Sequence, residues 1–304
     1  MGGYEGSWKG ESVIDVRILD RMQNLPKSGS VPAPKPGQVW TVTVDGKDKG
    51  IVLIASVRGV VVTAWPITIL QPGPAAPAFI IRLESLGGKA LVVWGEAEFG
   101  LTQAALGRSL GTPLTVEQIN GVRRAVAAGT DLPSGIEVCP SRETEEALDA
   151  LDQACLYAWE LGSWIWPNAE CGTGVLDKEA LSASGVSVRD IERKLGLRCG
   201  AARYMFDGNM VPSSGQLEAL ADEGVDVENV LRPPSGHEME ALTDPRYKAD
   251  VTSLAAVKGL SESVARSMIW GKAVRLAARQ KVGRDPDREA HERINAALRK
   301  LLES

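Results

Sequence analysis

The chain has 304 residues, a hydrophobic content of 44% and a formal net charge of −5. This length and composition predict a soluble globular protein of two or three domains with buried cores. The apolar runs are far shorter than the roughly 20 residues of a membrane-spanning helix, and the first 20 residues contain acidic side chains and no apolar leader. We therefore expect no membrane partner and a cytoplasmic location.

Charge is distributed unevenly along the chain. Residues 101–180 contain 5 basic and 12 acidic side chains, whereas residues 246–304 contain 13 basic and 7 acidic ones. The window 189–203 has five basic side chains against two acidic ones. Because local sign decides which surface attracts a polyanion, the acidic total does not exclude nucleic acid as a partner.

Metal and redox chemistry find little support in the sequence. The chain contains four cysteines, Cys139, Cys155, Cys171 and Cys199. They lie 16, 16 and 28 residues apart, too far for a zinc or redox motif, which predicts reduced and buried thiols. Only two histidines occur, His237 and His291, and the segment "GHEME" lacks the second histidine of a zinc-protease helix. We therefore predict no metal and no cofactor.

The N-terminal third alternates between β-rich runs and turns. Residues 1–34 are polar and end in Pro, Gly and Ser, which indicates a flexible arm. Five β-rich runs follow, at residues 39–44, 50–57, 59–68, 78–85 and 89–99. The dipeptide Asp45-Gly46 between the first two is typical of a tight hairpin turn. Short strands at this spacing predict a small β-barrel over residues 35–130.

Several short sequence segments of this region resemble the MazF/PemK family of SH3-like barrels. Members of that family are toxins of toxin–antitoxin pairs that cleave RNA as dimers. The segments are "PGQVWTV", "KGIVLIAS", "VVVTAWPIT", "KALVVWGEAEF" and "LGTPLTVEQINGVRRAVAAG". The resemblance implies a homodimer and the catalytic positions Lys49 and Thr68. The family has an arginine where Lys49 stands, and a lysine lacks the bidentate fork that binds a phosphate. Either the barrel cleaves RNA, or it serves dimerisation or binding alone.

Two helices are predicted after the barrel, at residues 115–129 and, in a connector spanning 135–172, at residues 141–166. Ser141 followed by acidic residues resembles a capped helix start. The second helix carries an apolar stripe that we assign to core packing: Leu148, Leu151, Cys155, Tyr157 and Trp159. Beyond residue 172 we expect short helices to the end of the chain.

Two glycines frame a short basic helix in this C-terminal half. In "GLRCGAARYMFDG", residues 196–208, Gly196 is placed to end one helix, and after a short turn a second helix ends at Gly208. The positions predicted to face inward are Ile191, Leu195, Ala202 and Met205. The outward face then carries Arg198, Arg203 and Tyr204.

This turn and helix, with the following "NMVPSSGQLEALADEGVD", are similar to the Xre/Cro-type helix-turn-helix family over residues 176–231. The resemblance implies a DNA-binding domain at residues 173–235. It implies base contacts by Arg198, Cys199, Gly200, Arg203 and Tyr204, and a phosphate contact by Asn209. An arginine bonded to guanine in the major groove contributes roughly 1–3 kcal/mol of discrimination. The other interpretation is a helical bundle that does not touch DNA.

A weaker copy of the pattern in residues 196–208 lies in "GLSESVARSMIWG", residues 259–271. This segment belongs to a basic region at 244–304. It predicts either a second helix-turn-helix, with Arg266 facing DNA and Glu262 facing the phosphates, or one helix running through Gly271. The second alternative costs about 1 kcal/mol. A basic run that either neutralises phosphate or stays a solvated surface contains Lys272, Arg275, Arg279, Lys281 and Arg284.

Together the patterns predict an α+β chain, in which a small SH3-like, MazF-like β-barrel is followed by an all-α helix-turn-helix region. The leading hypothesis is a sequence-specific protein that binds double-stranded DNA, a dimeric transcription regulator of a plasmid, phage or toxin–antitoxin-like locus. The alternative is an endoribonuclease with fused helical domains, for which RNA is the substrate. A third hypothesis is a module that binds another protein.

Overall fold

The structure is a computed structural model that describes residues 31–69, 78–139, 145–164, 174–277 and 285–303. The chain divides into two compact units, one of residues 1–101 and 105–164 and the other of residues 102–104 and 165–304. The first unit is built on an antiparallel sheet and the second is mainly helical. The predicted α+β class is confirmed.

The sheet of the first unit is open. Its strands are β1 (Val39–Val44), β2 (Lys47–Arg58), β3 (Val61–Ile69), β4 (Ala78–Arg82), β5 (Ala90–Trp94), β6 (Phe99–Thr102), β7 (Leu106–Gly111) and β8 (Glu137–Val138). Their order is β7, β1, β2, β3, β5, β4 and β8, with β6 paired to β3. Because this path does not return to its first strand among the described residues, the prediction of a closed barrel is wrong.

Local sequence explains the first hairpin and the bend of the sheet. Asp45 and Gly46 have φ values of 49° and 71°, as a two-residue hairpin turn requires, and Val44 pairs with Lys47. This turn confirms the prediction. The long strand β3 pairs first with β2 and, from Ile67 onward, with β5, so it carries the sheet around a corner. Of the run predicted as one strand at 89–99, residues 90–94 form β5, residues 95–98 are not strand, and β6 begins at Phe99.

Both faces of the sheet are buried, which explains why β2 is apolar throughout its centre. Ile51 and Leu53 lie in one core, which also contains residues of helix α1 (Val116–Ala128). Val52 and Ile54 lie in a second core on the opposite face, together with residues of helix α2 (Glu145–Gly162). Successive strand residues point to opposite faces, so a strand covered on both sides needs an unbroken apolar run.

Helix α1 begins and ends as its sequence predicts. The hydroxyl of Thr115 accepts a hydrogen bond from the Gln118 amide, the Gln118 side chain returns to the Thr115 amide, and Gly129 ends the helix with φ of 62°. This reciprocal pairing satisfies two amides that the helix itself leaves unbonded. The predicted helix at 115–129 is therefore confirmed.

Helix α2 buries a face that matches the predicted stripe only in part. Of the predicted residues, Tyr157 is buried and Leu151 is half-buried against a core, which confirms them, whereas Leu148, Cys155 and Trp159 are exposed, so assigning those three to the core was wrong. The remaining buried positions are Ala154, Ala158 and Leu161. Small alanines allow the helix to approach the sheet closely. At Gly50 even a Cβ atom would lie 1.7 Å from the Tyr157 hydroxyl, which donates a 3.4 Å hydrogen bond to the Lys49 carbonyl. Ser141 lies outside the described residues.

The second unit begins with a bundle of short helices whose two ends are held together by strands. Its elements are β9 (Val175–Leu176), α3 (Lys178–Ala183), α4 (Val188–Leu195), α5 (Cys199–Phe206), α6 (Ser214–Asp222), α7 (Val227–Val230) and β10 (Leu231–Arg232). The strands pair antiparallel, with Leu176 opposite Leu231. These elements enclose one apolar core of their own.

Four further helices complete the second unit: α8 (Gly236–Thr243), α9 (Lys248–Lys258), α10 (Glu262–Ala277) and α11 (Pro286–Leu302). Helix α10 runs without interruption through Gly271, so of the two alternatives for this segment the continuous helix is the one observed. None of the helices in the described ranges is long and apolar enough to cross a lipid bilayer.

Candidate nucleic-acid interface

A short turn connects helices α4 and α5. Helix α4 starts at Ser187, whose hydroxyl accepts from the Asp190 amide, and the hydrogen bonds that Ser187 donates lower the pKa of Asp190 below its usual value. The helix ends at Gly196, which has φ of 60°, a left-handed conformation that glycine adopts without strain. Helix α5 begins three residues later, at Cys199, with Arg198 as the residue that precedes it. The boundary at Gly196 matches the prediction, while α5 ends at Phe206 with Asp207 as its C-cap, two residues before the predicted end at Gly208, which has φ of 70°.

The inner face of α5 packs into the core of the bundle. Ala202, Met205 and Phe206 are buried, as is Ile191 of α4. Leu195 packs against the same core but is partly buried. Ala202 is fully buried and small, which lets α4 and α5 cross closely. The predicted inward positions are therefore confirmed.

The outer face of α5 brings most of the predicted DNA-contacting residues together. Arg198, Cys199, Gly200 and Arg203 are exposed, and Tyr204 is half-buried. The side chain of Arg203 is 62% exposed. Asn209 is half-buried just beyond the helix, where it lines a cavity of about 290 Å³ with Arg232 and Trp270. We name the outer face formed by Arg198, Cys199, Gly200 and Arg203 the α5 ridge.

The first turn of α5 lacks a side-chain cap and has a positive charge at its N-terminal end, and both features are unfavourable for a helix. Helices α3, α4 and α6 each have an Asp or Ser side chain that caps their first amides, whereas Arg198 at the same position of α5 makes no side-chain cap. A cation there also opposes the helix dipole. Gly200 has open space around its Cα, with no atom within 4 Å of where a Cβ would lie. The helix therefore starts with its backbone accessible and a positive charge beside it.

Asp207 holds Arg203 in place at the end of α5. Its Oδ2 accepts a 2.8 Å hydrogen bond from Arg203 Nε, and Lys178 Nζ lies 3.0 Å from its Oδ1. The hydrogen bond from Arg203, and then the one from Lys178, lower the pKa of the Asp207 carboxyl below its usual value. Sequence analysis missed this partner, although the i, i+4 spacing of Arg203 and Asp207 is the usual sign of a helical ion pair.

Arg266 does not belong to an exposed surface. It is fully buried, and its Nη2 lies 2.8 Å from Glu262 Oε1, an oxygen that also accepts from Lys248 Nζ at 2.8 Å. Its guanidinium also donates to the Leu242 carbonyl. Burial lowers the pKa of Arg266 and the charge of Glu262 opposes that shift. The predictions that Arg266 faces DNA and that Glu262 faces phosphate are therefore wrong, since both charges are paired in the interior.

The basic run after Arg266 is described only in part. Lys272 is half-buried and Arg275 is exposed on α10. Arg279, Lys281 and Arg284 lie outside the described residues. Of this run, Arg275 is the described residue that is free to reach a solvent-exposed polyanion.

The two residues implied as catalytic do not share one site in the first unit. Lys49 lines a cavity of about 380 Å³ together with Tyr157, Glu160 and Trp164. Thr68 is absent from the described lining of that cavity, and its buried hydroxyl accepts a 2.8 Å hydrogen bond from the Trp94 indole. RNA cleavage by this pair stays a prediction without a supporting contact.

The cysteines differ from their predicted burial. Cys139 is buried, and burial raises the pKa of its thiol to about 11. Cys155 and Cys199 are exposed, so the prediction of buried thiols is wrong for both, and all three are free. Cys171 lies outside the described residues.

Comparisons of the chain with protein-family models, curated protein sequences and solved structures find no match. The class that the fold defines is an α+β protein, with an open antiparallel sheet in one unit and a helical second unit.

Proposed function

We propose that this chain is a sequence-specific DNA-binding protein, in which α4, the turn at Gly196 and α5 form a helix-turn-helix and the α5 ridge enters the major groove. The observation that carries the proposal is the division of α5 into two faces. Its apolar side chains are buried in the bundle, while two arginines and an accessible backbone face outward. A recognition helix needs this division, because one face must anchor it and the other must remain free for base edges.

The start of α5 supports the proposal independently. A DNA phosphate at this end would accept from the uncapped first-turn amides and would pair with Arg198, so it would offset both local defects of the helix. Gly200 leaves room for the phosphate backbone to approach. A residue that destabilises its own helix without a compensating contact elsewhere in the fold is typical of a functional position.

Arg203 is proposed as a base or phosphate contact that exchanges partners on binding. In the free protein its guanidinium is held by Asp207, which orients it along the outer face. Exposed pairs of this kind contribute roughly 0–1 kcal/mol, so a stronger contact to guanine or phosphate can replace them. Arg275 is proposed as an additional phosphate contact.

We propose that the protein acts as a homodimer assembled through its first unit. One short helix contacts few base pairs, and two copies on an inverted repeat multiply the discrimination. Helix α2 exposes Leu148, Leu156 and Trp159, of which Trp159 is 72% exposed. Their spacing of eight and three residues places them on one side of the helix, with the exposed Asp152 between Leu148 and Leu156, and exposed apolar side chains grouped on one helix face are typical of an interaction site. Changing Leu156 and Trp159 to serine is expected to convert a dimer to a monomer in light scattering.

The proposal is tested by changing Arg198 and Arg203 together to alanine and measuring duplex binding in a salt series. We expect the loss of roughly 1–3 kcal/mol for each base contact, or a salt slope reduced by about 1 for each phosphate contact. The matched control changes Arg82 and Arg288 to alanine, since both are exposed arginines held in ion pairs. Equal binding by the two double variants would refute the assignment of the α5 ridge.

A further inference from the structure

Three side chains of metal-binding type converge on the surface of the second unit. They are His237, Glu240 and Asp287, and one ligand atom of each lies within 4.8 Å of the other two. His237 Nδ1 is in direct contact with Asp287 Oδ1. His237 and Glu240 are three residues apart on α8, so they lie on the same side of that helix, and Asp287 is in the first turn of α11.

The electrostatics of this cluster favour a cation. All three side chains are exposed. Within the described ranges neither Glu240 nor Asp287 has a lysine or arginine partner, since the ion pair found for Asp287 is with His237. Two carboxylates that share one site repel each other. The dipole of α11 accounts for an acid at Asp287, but Glu240 is in the middle of α8 and has no such explanation.

We propose that His237, Glu240 and Asp287 bind one Zn²⁺ ion that links α8 to α11. One imidazole nitrogen and two carboxylate oxygens are a donor set that Zn²⁺ accepts, with water as the fourth ligand. Tetrahedral zinc bonds of about 2.0–2.2 Å hold the donor atoms roughly 3.3 Å apart, so His237 Nδ1 and Asp287 Oδ1, which are in direct contact, must separate to admit the ion. Exposed side chains at helix surfaces can make this adjustment by rotation.

The chain contains two histidines, which supplies a matched control. His291 Nδ1 lies 3.0 Å from the Tyr247 hydroxyl, and its Nε2 lies 3.4 Å from Arg246 Nη2. A guanidinium at that distance repels a metal ion. His291→Gln is therefore expected to remove an imidazole without removing the proposed site.

The test is calorimetric titration of the full chain with ZnCl₂, together with thermal unfolding with and without Zn²⁺. We expect one Zn²⁺ per chain and a raised unfolding temperature for the natural protein and for His291→Gln. His237→Gln and Asp287→Asn are expected to weaken binding at least tenfold, while Glu289→Gln, which changes a half-buried acid in the same turn as Asp287, leaves it unchanged. Circular dichroism without metal shows that each variant is folded.

Two results would overturn the proposal. The natural protein would show no saturable Zn²⁺ binding, or His237→Gln would bind as tightly as His291→Gln. The second result would assign the ion to other groups, such as the exposed thiols of Cys155 and Cys199.

Discussion

Replacing Arg198 with serine should stabilise the protein and weaken its binding to DNA. The backbone of Arg198 has φ of −68° and ψ of 146°, an extended conformation that suits a serine cap. At Ser187 and Ser213 the hydroxyl accepts from the amide three residues on, at 3.3 Å in both helices. The introduced hydroxyl would do the same for the amide of Ala201.

The size of the stability effect follows from the cap and from the charge. A serine cap contributes about 1 kcal/mol, and removal of a cation from the helix start adds a few tenths of a kcal/mol. For a unit of this length the unfolding temperature should rise by about 2–4 °C. If Arg198 bonds a guanine, the same change costs roughly 1–3 kcal/mol of binding at each half-site, about a 5-fold to 150-fold loss.

Both quantities can be measured on the same preparations, by thermal unfolding followed with circular dichroism and by fluorescence anisotropy with labelled duplex. Arg198→Ala is the control, because it removes the guanidinium without adding a cap and should lose the same affinity while gaining only the few tenths of a kcal/mol that come from the charge. A lower unfolding temperature for Arg198→Ser would refute the N-cap assignment. Unchanged affinity would refute the contact with DNA.

Three further changes test neighbouring parts of the account. Gly200→Glu should abolish duplex binding and leave folding intact, whereas Gly215→Glu, equally open but on α6, should bind normally; equal losses in both would contradict the proposed ridge. Asp207→Asn should free Arg203 and raise duplex affinity severalfold. Because the folded pKa of Asp207 is lowered, the stabilisation that its ionised form provides is present at neutral pH and is lost as pH falls through that lowered pKa, so urea denaturation of the natural protein and Asp207→Asn should converge in acid. Arg266→Ala should destabilise the second unit by about 3–5 kcal/mol in urea denaturation, since it leaves a buried carboxylate with one cation fewer; a small change with weaker DNA binding would contradict its burial.

Local chemistry in the sequence predicts several elements correctly. Asp45-Gly46 has positive φ at both positions, Thr115 and Gln118 form a reciprocal cap, and Gly196 ends α4 in a left-handed conformation. Each of these features depends on residues within a few positions of each other. Such interactions are encoded in a short segment and survive in the fold.

Features that depend on contacts between distant parts of the chain could not be predicted in the same way. The predicted apolar stripe of α2 correctly includes Tyr157, which approaches the sheet closely at Gly50. Its other large members Leu148 and Trp159 are exposed, because the side of the helix that packs on the sheet is completed by small alanines that the stripe did not include. Arg266 resembles a surface residue by its position in the repeated helix-turn-helix pattern, yet it is buried and paired with the Glu262 carboxylate, which also pairs with Lys248. The i, i+4 spacing of Glu262 and Arg266 was the available sign of that pairing. Closure of the sheet depends on long-range strand pairing that no short segment reveals.

The most direct test of the central claim is selection from random duplex DNA with the purified full-length chain. Sequence-specific binding by a dimer predicts enrichment of an inverted repeat with half-sites one helical turn, about 34–36 Å, apart. The variant with Arg198 and Arg203 changed to alanine should fail to enrich it. No enriched sequence with the natural protein, or the same repeat with the variant, would contradict the account.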